Sequence, residues 1–414
     1  MSRALFFINP FMGHINPTIS LVQELKKRGE DVVYYSLPQY KDFITQMGAK
    51  FSAYPENERM FNWGLEERVD NDNDALSRLF RAYGRHFSDE HKLFKAFALS
   101  QIKDTSQDYI IYDYCDAYWA KQAAVEAGVL SIASSPTFVI NSRIAEAQPV
   151  ECVKYFWRIS GENQSYSNAA ECRGLIRMVT KRLQYAFNDK TFNPFDYGNS
   201  DYLTIVHTSK ALQPKGELLD DKFIFKGASI VANRDKQQVP PLTGRPVLYI
   251  SMGSTQLGNN VRFYRMCMNA FKNSRYQVII AAGRYTDLNE LKDIPENVTV
   301  LSYAPQLEIL KIASVFITHA GSGSINEAIA FGVPLVALPQ MTDAFSVAYQ
   351  VEQKQIGQCI TSVHLCESSL KKAVEEVCNN PVYSENMKKI RTAENQIAIE
   401  TVAERVLQEK QRFA

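Results

Sequence analysis

The chain has 414 residues, with 46 lysines and arginines against 45 aspartates and glutamates. This length suits two domains better than one. The balance of charge excludes the basic surplus that is typical of nucleic-acid-binding proteins. No uninterrupted apolar run reaches the roughly eighteen residues that a membrane-spanning helix needs, so we expect no stable membrane insertion.

The seven cysteines are scattered and lack the spacing of a disulfide framework or of a zinc site. The first predicted strand has neither a cationic leader nor a small-residue cleavage site. Both observations favour a protein of the reducing cytoplasm.

Strand-like and helix-like segments alternate along the whole chain, which predicts an α/β fold with parallel sheets. We predict amino-terminal strands near 3–9, 31–37, 50–55, 109–114, 130–136 and 202–208. We predict carboxyl-terminal strands near 247–253, 276–283, 298–303, 315–320 and 334–339. The predicted domains are 1–227 and 246–383, with a linker at 228–245 and a helical tail at 384–414.

His14 follows the first predicted strand, in a loop that precedes an amphipathic helix. Asp113 ends the apolar run Tyr109–Asp113 and precedes another helix-like segment. Both residues therefore lie at the carboxyl edge of a sheet, where open α/β folds bind ligands. The loop before His14 lacks the G-x-G-x-x-G spacing of a dinucleotide fingerprint. Asp116 is a nearby alternative to Asp113, although its position in the following turn also suits a helix cap.

The segment from 303 to 343 carries the most informative pattern in the chain. A predicted strand ends near Ala320 and runs into Gly321-Ser322-Gly323-Ser324 at the start of a helix. Such a helix start favours a bound diphosphate through its unpaired N–H groups and its dipole. His319 just before it can donate a hydrogen bond to the diphosphate. Glu327, one turn into the helix, can accept from a cis-diol, so the pattern predicts a nucleotide-sugar site.

Taken alone, these two residues have ordinary explanations. A histidine such as His319 is more often a simple strand-end residue, and a glutamate such as Glu327 is more often solvated on a helix surface. A lone glycine-rich turn is also a weak signal. The interpretation therefore depends on several positions that match in one order.

That order resembles the donor-binding signature of the UDP-glycosyltransferases of glycosyltransferase family 1, most of all their bacterial macrolide-type branch. The matching run is YAPQLEILKIASVFITHAGSGSINEAIAFGVPLVALPQMTD. The resemblance implies that Tyr303 stacks on uracil, that Gln306 and Glu327 meet the ribose, and that Asp343 contacts the sugar hydroxyls. It implies diphosphate contacts by His319, Gly321, Gly323 and Ser324. A second glycine-containing loop adds Gly253, Ser254 and Thr255.

The same resemblance implies a GT-B fold, with two facing Rossmann-like domains and a carboxyl-terminal helix that crosses back to the first domain. It assigns His14 as the general base that deprotonates the acceptor and Asp113 as its carboxylate partner. The implied reaction is a single displacement that inverts the anomeric carbon. A UDP-sugar is then a co-substrate, and no further cofactor is expected.

We expect no required metal. An Asp-x-Asp pattern occurs in the run Asp70–Asp74, but this run lies in a polar stretch with no strand ending at it. A solvated loop explains it better than a metal site.

The acceptor is expected to bind where the resemblance is weak and aromatic residues are frequent, so a small apolar or phenolic acceptor is favoured. The alternative is that these aromatic residues belong to the core. They are Phe61, Trp63, Phe80, Tyr83, Phe87, Phe94, Tyr155, Phe156 and Trp157.

Ala344 departs from the family pattern, which has glutamine after the acidic residue at this place. We expect extra room beside the transferred hexose and an altered sugar preference. Two other functions stay open, namely a nucleotide-sugar-binding protein without transfer activity and a glycolipid-forming transferase. The presence of both His14 and Asp113 favours the enzyme acting on a small acceptor.

Overall fold

The computed structural model describes residues 2–56, 75–85, 88–105, 107–157, 159, 168–230, 238–253, 260–283, 285–340, 342–393 and 397–413. The chain divides into two compact units. The first unit comprises Met1–His207, Gln213–Gly227 and Gln396–Ala414. The second unit comprises Thr208–Leu212 and Ala228–Asn395.

A parallel sheet forms the centre of the first unit. Its strands are β1 (Arg3–Phe7), β2 (Asp31–Ser36), β3 (Lys50–Ala53), β4 (Asp108–Asp113), β5 (Ser131–Ser135), β6 (Leu203–Val206) and β7 (Phe223–Phe225). Within the described residues the strand order is β3-β2-β1-β4-β5-β6-β7. From β1 the next strands are added toward one edge of the sheet, and from β4 they are added toward the other edge. This reversal of strand order creates a topological switch point at the carboxyl ends of β1 and β4.

The helices of the first unit connect these strands. The α-helices are Met12–Ile15, Ile19–Lys27, Lys41–Gln46, Ala75–Gly84, Asp89–Gln101, Tyr118–Ala127, Ser142–Ala147, Pro149–Glu151, Ala169–Ala186 and Ile399–Phe413. Shorter 3₁₀ turns occur at Asn16–Thr18, Pro38–Tyr40 and Gly216–Leu218, and a π-helical turn occurs at Cys152–Phe156.

Aromatic residues dominate the core beside β1. The ring of Phe7 stacks on that of Tyr35 with 4.4 Å between centroids and meets Trp119 edge-on at 5.3 Å. Both are preferred geometries for aromatic pairs. Trp119 is 1% exposed and lies on the helix that follows β4. These contacts hold the helices against the strands that end at the switch point.

The second unit repeats the arrangement with a smaller parallel sheet. Its strands are β8 (Val247–Ser251), β9 (Gln277–Ala281), β10 (Val298–Leu301), β11 (Ala313–Thr318), β12 (Leu335–Ala337) and β13 (Gly357–Cys359). In the described part of this unit the order is β10-β9-β8-β11-β12-β13, so the switch point lies between β8 and β11.

The helices of the second unit again connect consecutive strands. The α-helices are Val261–Phe271, Gln306–Leu310, Ser322–Phe331, Thr342–Gln353, Glu367–Asn379 and Pro381–Ala393. The 3₁₀ turns are Leu288–Glu290 and Ser362–His364. Aliphatic residues of the central strands, such as Ile250, Ile280 and Ile317, are fully buried and form one core cluster with the helix Glu367–Asn379.

The structure confirms the predicted α/β class and the eleven predicted strands, and it adds two strands that the sequence did not predict. These are β7 and β13, the last strands at one edge of each sheet. Each has three residues. A strand this short carries too little alternation to stand out, and it forms only because its neighbour offers a ladder.

The end of the chain is divided between the units. The helix Pro381–Ala393 belongs to the second unit, whereas Ile399–Phe413 belongs to the first. Arg28 donates to the Glu400 carbonyl at 3.2 Å, and the ring of Phe413 meets that of Tyr202 at 5.1 Å. These contacts attach the last helix to the first unit. Of the helices in the described ranges, none combines the length and the apolar character needed to cross a membrane.

Candidate active site

His14 lies at the carboxyl edge of the first sheet, beside the switch point between β1 and β4. Phe7 of β1 is paired with Tyr112 of β4, so the two strands end at the same level. The predicted loop is wrong in one respect, because His14 belongs to a single helical turn, Met12–Ile15. Its N–H donates to the Phe11 carbonyl at 2.9 Å. This turn fixes the histidine more firmly than an open loop would.

His14 and Asp113 form a hydrogen-bonded pair. The His14 Nδ1 atom lies 2.7 Å from Asp113 Oδ2. The Asp113 side chain is 1% exposed, whereas that of His14 is 21% exposed. The N–H of Cys115 donates to Asp113 Oδ1 at 2.9 Å, and the N–H of Asn9 donates to Oδ2 at 3.4 Å. A buried carboxylate with these donors orients the imidazole and leaves Nε2 as the nitrogen for proton transfer.

Asp116 occupies a different place in this cluster. Its carboxylate accepts a hydrogen bond from the Asn9 side chain. Burial and, next, the charge of Asp113 raise the pKa of Asp116 to about 7. The structure therefore brings Asp113 onto His14 and sets Asp116 beside the pair, held by Asn9. Of the two candidate carboxylates, Asp113 is the one with the geometry of a base partner.

The second unit places His319 at its own switch point. Thr318 of β11 is paired with Ser251 of β8, and His319 directly follows β11. A Cβ atom on Gly253 would lie 2.9 Å from both ring nitrogens of His319. A Cβ atom on Gly321 would collide with Nε2 and lie 2.8 Å from Cε1. The imidazole therefore lies between two glycines, and a side chain at either position would displace it.

The backbone around His319 is strained. Ala320 has φ of +64°, a left-handed conformation that few residues other than glycine adopt. Gly253 also has a positive φ, +81°. Strain of this kind is maintained by surrounding structure and is concentrated at functional sites. Here it turns the chain from β11 directly into the helix Ser322–Phe331.

Gly321 is the N-cap of that helix, and no side chain caps it. The first intrahelical bond is donated by Ile325 to the Gly321 carbonyl. The first N–H groups of an α-helix have no acceptor within the helix itself, and its positive dipole end lies at this terminus. A Cβ atom on Gly323 would meet no atom of the described residues within 4 Å. The arrangement can bind an anion such as a diphosphate.

A hydrogen-bonded group of side chains lies one turn further along. The Gln306 amide donates to Glu327 Oε2 at 2.6 Å and to Ser324 Oγ at 3.3 Å. The hydroxyl of Tyr249 donates to Gln306 Oε1 at 3.2 Å. Glu327 is 8% exposed, and Tyr303 is 55% exposed at the end of β10. The predicted residues Gln306, Ser324 and Glu327 are thus brought together.

Asp343 and Ala344 start the helix Thr342–Gln353. Asp343 lies in its first turn and is partly exposed. Ala344 is 1% exposed, so the expectation of extra room beside this alanine is wrong. A buried methyl group borders packed atoms and cannot open space for a larger sugar substituent. Ser254, Thr255 and the run Asp70–Asp74 lie outside the described residues.

Three residues in these contacts were not predicted from the sequence. Asn9 binds both Asp113 and Asp116. Tyr249 orients Gln306. Asn326 accepts from the Ser209 N–H at 2.7 Å and is 2% exposed. The position of Asn9 directly after a buried strand was a usable signal, whereas Tyr249 and Asn326 look like ordinary core and helix residues.

The aromatic residues proposed for the acceptor have mixed positions. Tyr83, Phe94 and Trp157 are 7%, 0% and 6% exposed, as the core alternative predicted. Phe80 and Phe156 are partly buried against the same core cluster as Tyr83 and Trp157. The cluster includes the helices Ala75–Gly84 and Ala169–Ala186. Phe61, Trp63 and Phe87 lie outside the described residues.

Comparison with known proteins agrees with this geometry. Residues 266–408 match the family described as erythromycin biosynthesis protein CIII-like, C-terminal domain. An uncharacterized UDP-glucosyltransferase of Bacillus subtilis, YojK, is 34% identical over 393 residues, which cover 94% of this chain and 93% of the relative. The oleandomycin glycosyltransferase of Streptomyces antibioticus is 26% identical and covers 92% of this chain and 84% of its own.

The fold is also shared with solved glycosyltransferases. The calicheamicin glycosyltransferase CalG4 superposes with a TM-score of 0.79 at 23% identity and covers 100% of this chain and 99% of its own. This likeness shows the GT-B fold, with its two Rossmann-like domains. Together with the 34% identity over nearly the whole length of YojK, it shows that the chain is an enzyme of the UDP-glycosyltransferase family, in the bacterial macrolide-type branch.

Proposed function

We propose that this enzyme transfers a hexose from a UDP-sugar to a hydroxyl of a small, apolar or phenolic acceptor, with inversion and without a required metal ion. The observation that carries the proposal is the His14–Asp113 pair, with 2.7 Å between Nδ1 and Oδ2 at the carboxyl edge of the first sheet. Nε2 of His14 takes the proton of the acceptor hydroxyl. The buried Asp113 carboxylate stabilises the imidazolium that forms.

The deprotonated oxygen then attacks the anomeric carbon of the donor. The bond from that carbon to the diphosphate oxygen breaks, and UDP leaves with the bonding electron pair. A single displacement inverts the anomeric configuration. Base catalysis of this kind contributes about 10²–10⁴-fold, so stabilisation of the leaving group must supply much of the remaining acceleration.

The second unit supports the leaving-group role. The helix start at Gly321 presents N–H groups to an anion, and His319 lies between Gly253 and Gly321 at the same place. Fixed donors at a helix start stabilise developing negative charge without reorganisation during the reaction. This arrangement can replace a divalent cation at the diphosphate, which is the physical basis for proposing that no metal is required.

The group around Gln306 supports a ribonucleotide donor. Glu327 is oriented by the amide of Gln306, and the exposed ring of Tyr303 follows strand β10. A buried carboxylate accepts hydrogen bonds from both hydroxyls of a cis-diol. We therefore assign Glu327 to the ribose and Tyr303 to the uracil face, with Asp343 as the sugar-binding acid.

Relatives that act on natural products support the proposed acceptor class. The Streptomyces antibioticus relative is an oleandomycin glycosyltransferase. The net charge of the protein is +1, so the chain is nearly neutral. A comparable small hydroxylated molecule is a suitable substrate for its proposed base. The sugar itself is left to experiment, because Ala344 replaces the usual glutamine without opening space.

The test is to incubate the purified enzyme with UDP-glucose, UDP-N-acetylglucosamine and dTDP-glucose, each with a panel of phenols and macrolides. Release of UDP and the product mass measure transfer, and the anomeric coupling in the product spectrum measures inversion. We expect a β-linked product from an α-linked donor, with the same rate in EDTA. A retained configuration, or a rate lost in EDTA and restored by Mg²⁺, would contradict the proposed mechanism.

A further inference from the structure

Three metal-binding side chains meet at the proposed catalytic base. The ligand atoms of His14, Asp113 and Cys115 all lie within 4.8 Å of one another. His14 Nδ1 and Asp113 Oδ2 are already 2.7 Å apart. The Cys115 N–H donates to Asp113 Oδ1, which fixes the turn from the aspartate to the cysteine. Cys115 is a partly exposed thiol rather than part of a disulfide.

The spacing fits a small change of geometry. With metal–ligand bonds of about 2.0–2.3 Å, tetrahedral Zn²⁺ places its ligand atoms roughly 3.5 Å apart. The 2.7 Å between His14 Nδ1 and Asp113 Oδ2 is shorter than this distance. The 4.8 Å within which all three ligand atoms lie, including the Cys115 sulfur, is longer. Binding of the ion therefore requires the His14–Asp113 pair to open and the Cys115 sulfur to move closer. Three protein ligands leave the fourth position for water, as in open zinc sites.

The donor types select the metal. Imidazole and thiolate prefer Zn²⁺ and related transition-metal ions, whereas Mg²⁺ prefers carboxylates, carbonyls and water. A neutral imidazole, a carboxylate and a thiolate together balance the two positive charges of the ion. Asn9 supports the arrangement from outside, because its N–H donates to Asp113 and its side chain donates to Asp116. Partners of this kind orient metal ligands.

We propose that His14, Asp113 and Cys115 form an inhibitory site for Zn²⁺ or a similar soft divalent ion, which turns off the catalytic base. This inference rests on the proposed function of His14. Binding at Nδ1 displaces the proton shared with Asp113, and that proton moves to Nε2 while the Cys115 thiol releases its own. Nε2 then carries a hydrogen and has no lone pair to accept the proton of the acceptor. The ion thus acts as an inhibitor and not as a cofactor.

The first measurement is binding, independent of transfer. The full-length enzyme is freed of metal with EDTA and desalted, and Zn²⁺ is titrated against a chromophoric chelator. We expect one site that Cys115→Ser weakens by about tenfold or more, since even the loss of an outer-shell partner weakens sites by about 10–100-fold. Co²⁺ should show a thiolate charge-transfer band in the unaltered enzyme and not in Cys115→Ser.

The matched control is Cys366→Ser, because Cys366 is an exposed thiol of the second unit. This control should leave the affinity for Zn²⁺ at the described site unchanged. If Cys115→Ser does not fold, Cys115→Ala and His14→Gln provide the same binding test. Equal affinity in the unaltered enzyme and in the Cys115 variants would overturn the proposal.

The second measurement is UDP release in the presence of Zn²⁺. Transfer by the unaltered enzyme should fall, recover in EDTA and be unaffected by Mg²⁺. Cys115→Ser, compared with its own rate in EDTA, should lose its sensitivity to Zn²⁺. Tight binding of Zn²⁺ without any transfer activity would contradict the proposed function and leave the metal site standing. Normal transfer with no Zn²⁺ binding at Cys115 would contradict the metal site and leave the proposed function standing.

Discussion

The switch points of the two sheets each carry a histidine, but their surroundings differ in kind. His14 after β1 is paired with a buried carboxylate, and a second carboxylate with a pKa raised to about 7 lies nearby. His319 after β11 lies between Gly253 and Gly321 at the start of a helix. The first edge is organised by ionisable side chains, whereas the second is organised by backbone shape.

The difference corresponds to the two halves of the proposed reaction. A proton acceptor needs a partner that stabilises its charged form, so carboxylates surround His14. A diphosphate is already charged and needs N–H groups that approach it closely, which suits the two glycines beside His319. The same topology therefore yields a base in one unit and an anion site in the other. Substitutions at the first edge should therefore lower turnover, whereas substitutions at the second edge should lower the affinity for UDP.

The largest expected effect is that of His14→Ala. Turnover should fall by about 10²–10⁴-fold, because Nε2 of His14 is the proposed proton acceptor. The affinity for UDP should be nearly unchanged, because the proposed donor contacts belong to the other edge. Steady-state UDP release measures the first quantity and calorimetric titration with UDP the second. Full turnover in the variant would remove His14 from the mechanism.

The carboxylates beside His14 provide the comparison for that experiment. Asp113→Asn should slow transfer more than Asp116→Asn, since Asp113 accepts from Nδ1 whereas Asp116 is bound by Asn9. Both substitutions conserve size, so their folding can be compared by thermal unfolding. The opposite order of rates would make Asp116 the functional partner.

Gly321→Ala should give the next largest effect, through the second edge. The new Cβ atom would collide with the His319 ring and displace it. A displacement of about 1 Å at such a site can cost on the order of 100-fold, and we expect UDP affinity to fall by about 10–100-fold. Titration with UDP measures the loss.

Gly323→Ala is the matched control, because its Cβ atom would meet none of the atoms in the described part of the chain within 4 Å. This variant should fold with unchanged thermal stability, and any loss of UDP affinity then reports a ligand close to Gly323. If Gly321→Ala binds UDP as the unaltered enzyme does, the position of His319 is not important for the diphosphate.

Glu327→Gln should have a smaller effect that is specific to the ribose. The amide keeps an acceptor for Gln306 but loses the charge that strengthens bonds to the ribose hydroxyls. The preference for UDP over dTDP should narrow by roughly three- to tenfold, which corresponds to about 0.5–1.5 kcal/mol. Competition of the two nucleotides for the same site measures the ratio. Glu308→Gln, an exposed glutamate on the neighbouring helix, should leave the ratio unchanged.

The smallest expected effect concerns an ionisable residue at the first edge. It is measured as the change with pH in the free energy of unfolding. Lys226 directly follows β7 and is 5% exposed, and burial lowers its pKa to about 7. Between pH 7 and 10.5 the unfolded chain therefore binds more protons at this lysine than the folded chain, so stability rises with pH. The free energy of unfolding should increase by about 1 kcal/mol from pH 7 to pH 8 relative to Lys226→Met.

Tryptophan fluorescence during denaturant unfolding can measure this difference. Trp119 and Trp157 belong to the first unit, so their signal reports the unit that contains Lys226. The difference in the free energy of unfolding between the two proteins should be constant only below about pH 6, where the lysine is charged in both states. If the difference in the free energy of unfolding is also constant from pH 7 to 9, Lys226 does not titrate in this range.

The sequence predicted the central strands well because each is a continuous apolar run between polar segments. It also predicted which residues follow those strands, and parallel strands bring such residues to one edge. His14, Asp113 and His319 were found in this way. The edge strands β7 and β13 were missed because three residues carry too short a pattern.

The sequence predicted less about which neighbours surround each side chain. The aromatic residues Tyr83, Phe94 and Trp157 were candidates for an acceptor surface, and burial shows that they form core. Ala344 suggested open space, and it is buried too. Both errors have one cause, since residue type alone does not say which neighbours fill the space around a side chain.

By itself the sequence determined the α/β class, the strand ends and the residue types of a nucleotide-sugar transferase, because these depend on local periodicity and on motif spacing. Only the tertiary structure decided that Asp113 and not Asp116 is bonded to His14, since the two lie three residues apart and either could reach the edge. Only the structure showed that Gly253 and Gly321 make room for the His319 ring. That requirement arises between β8 and β11, which are distant in sequence and adjacent in the sheet.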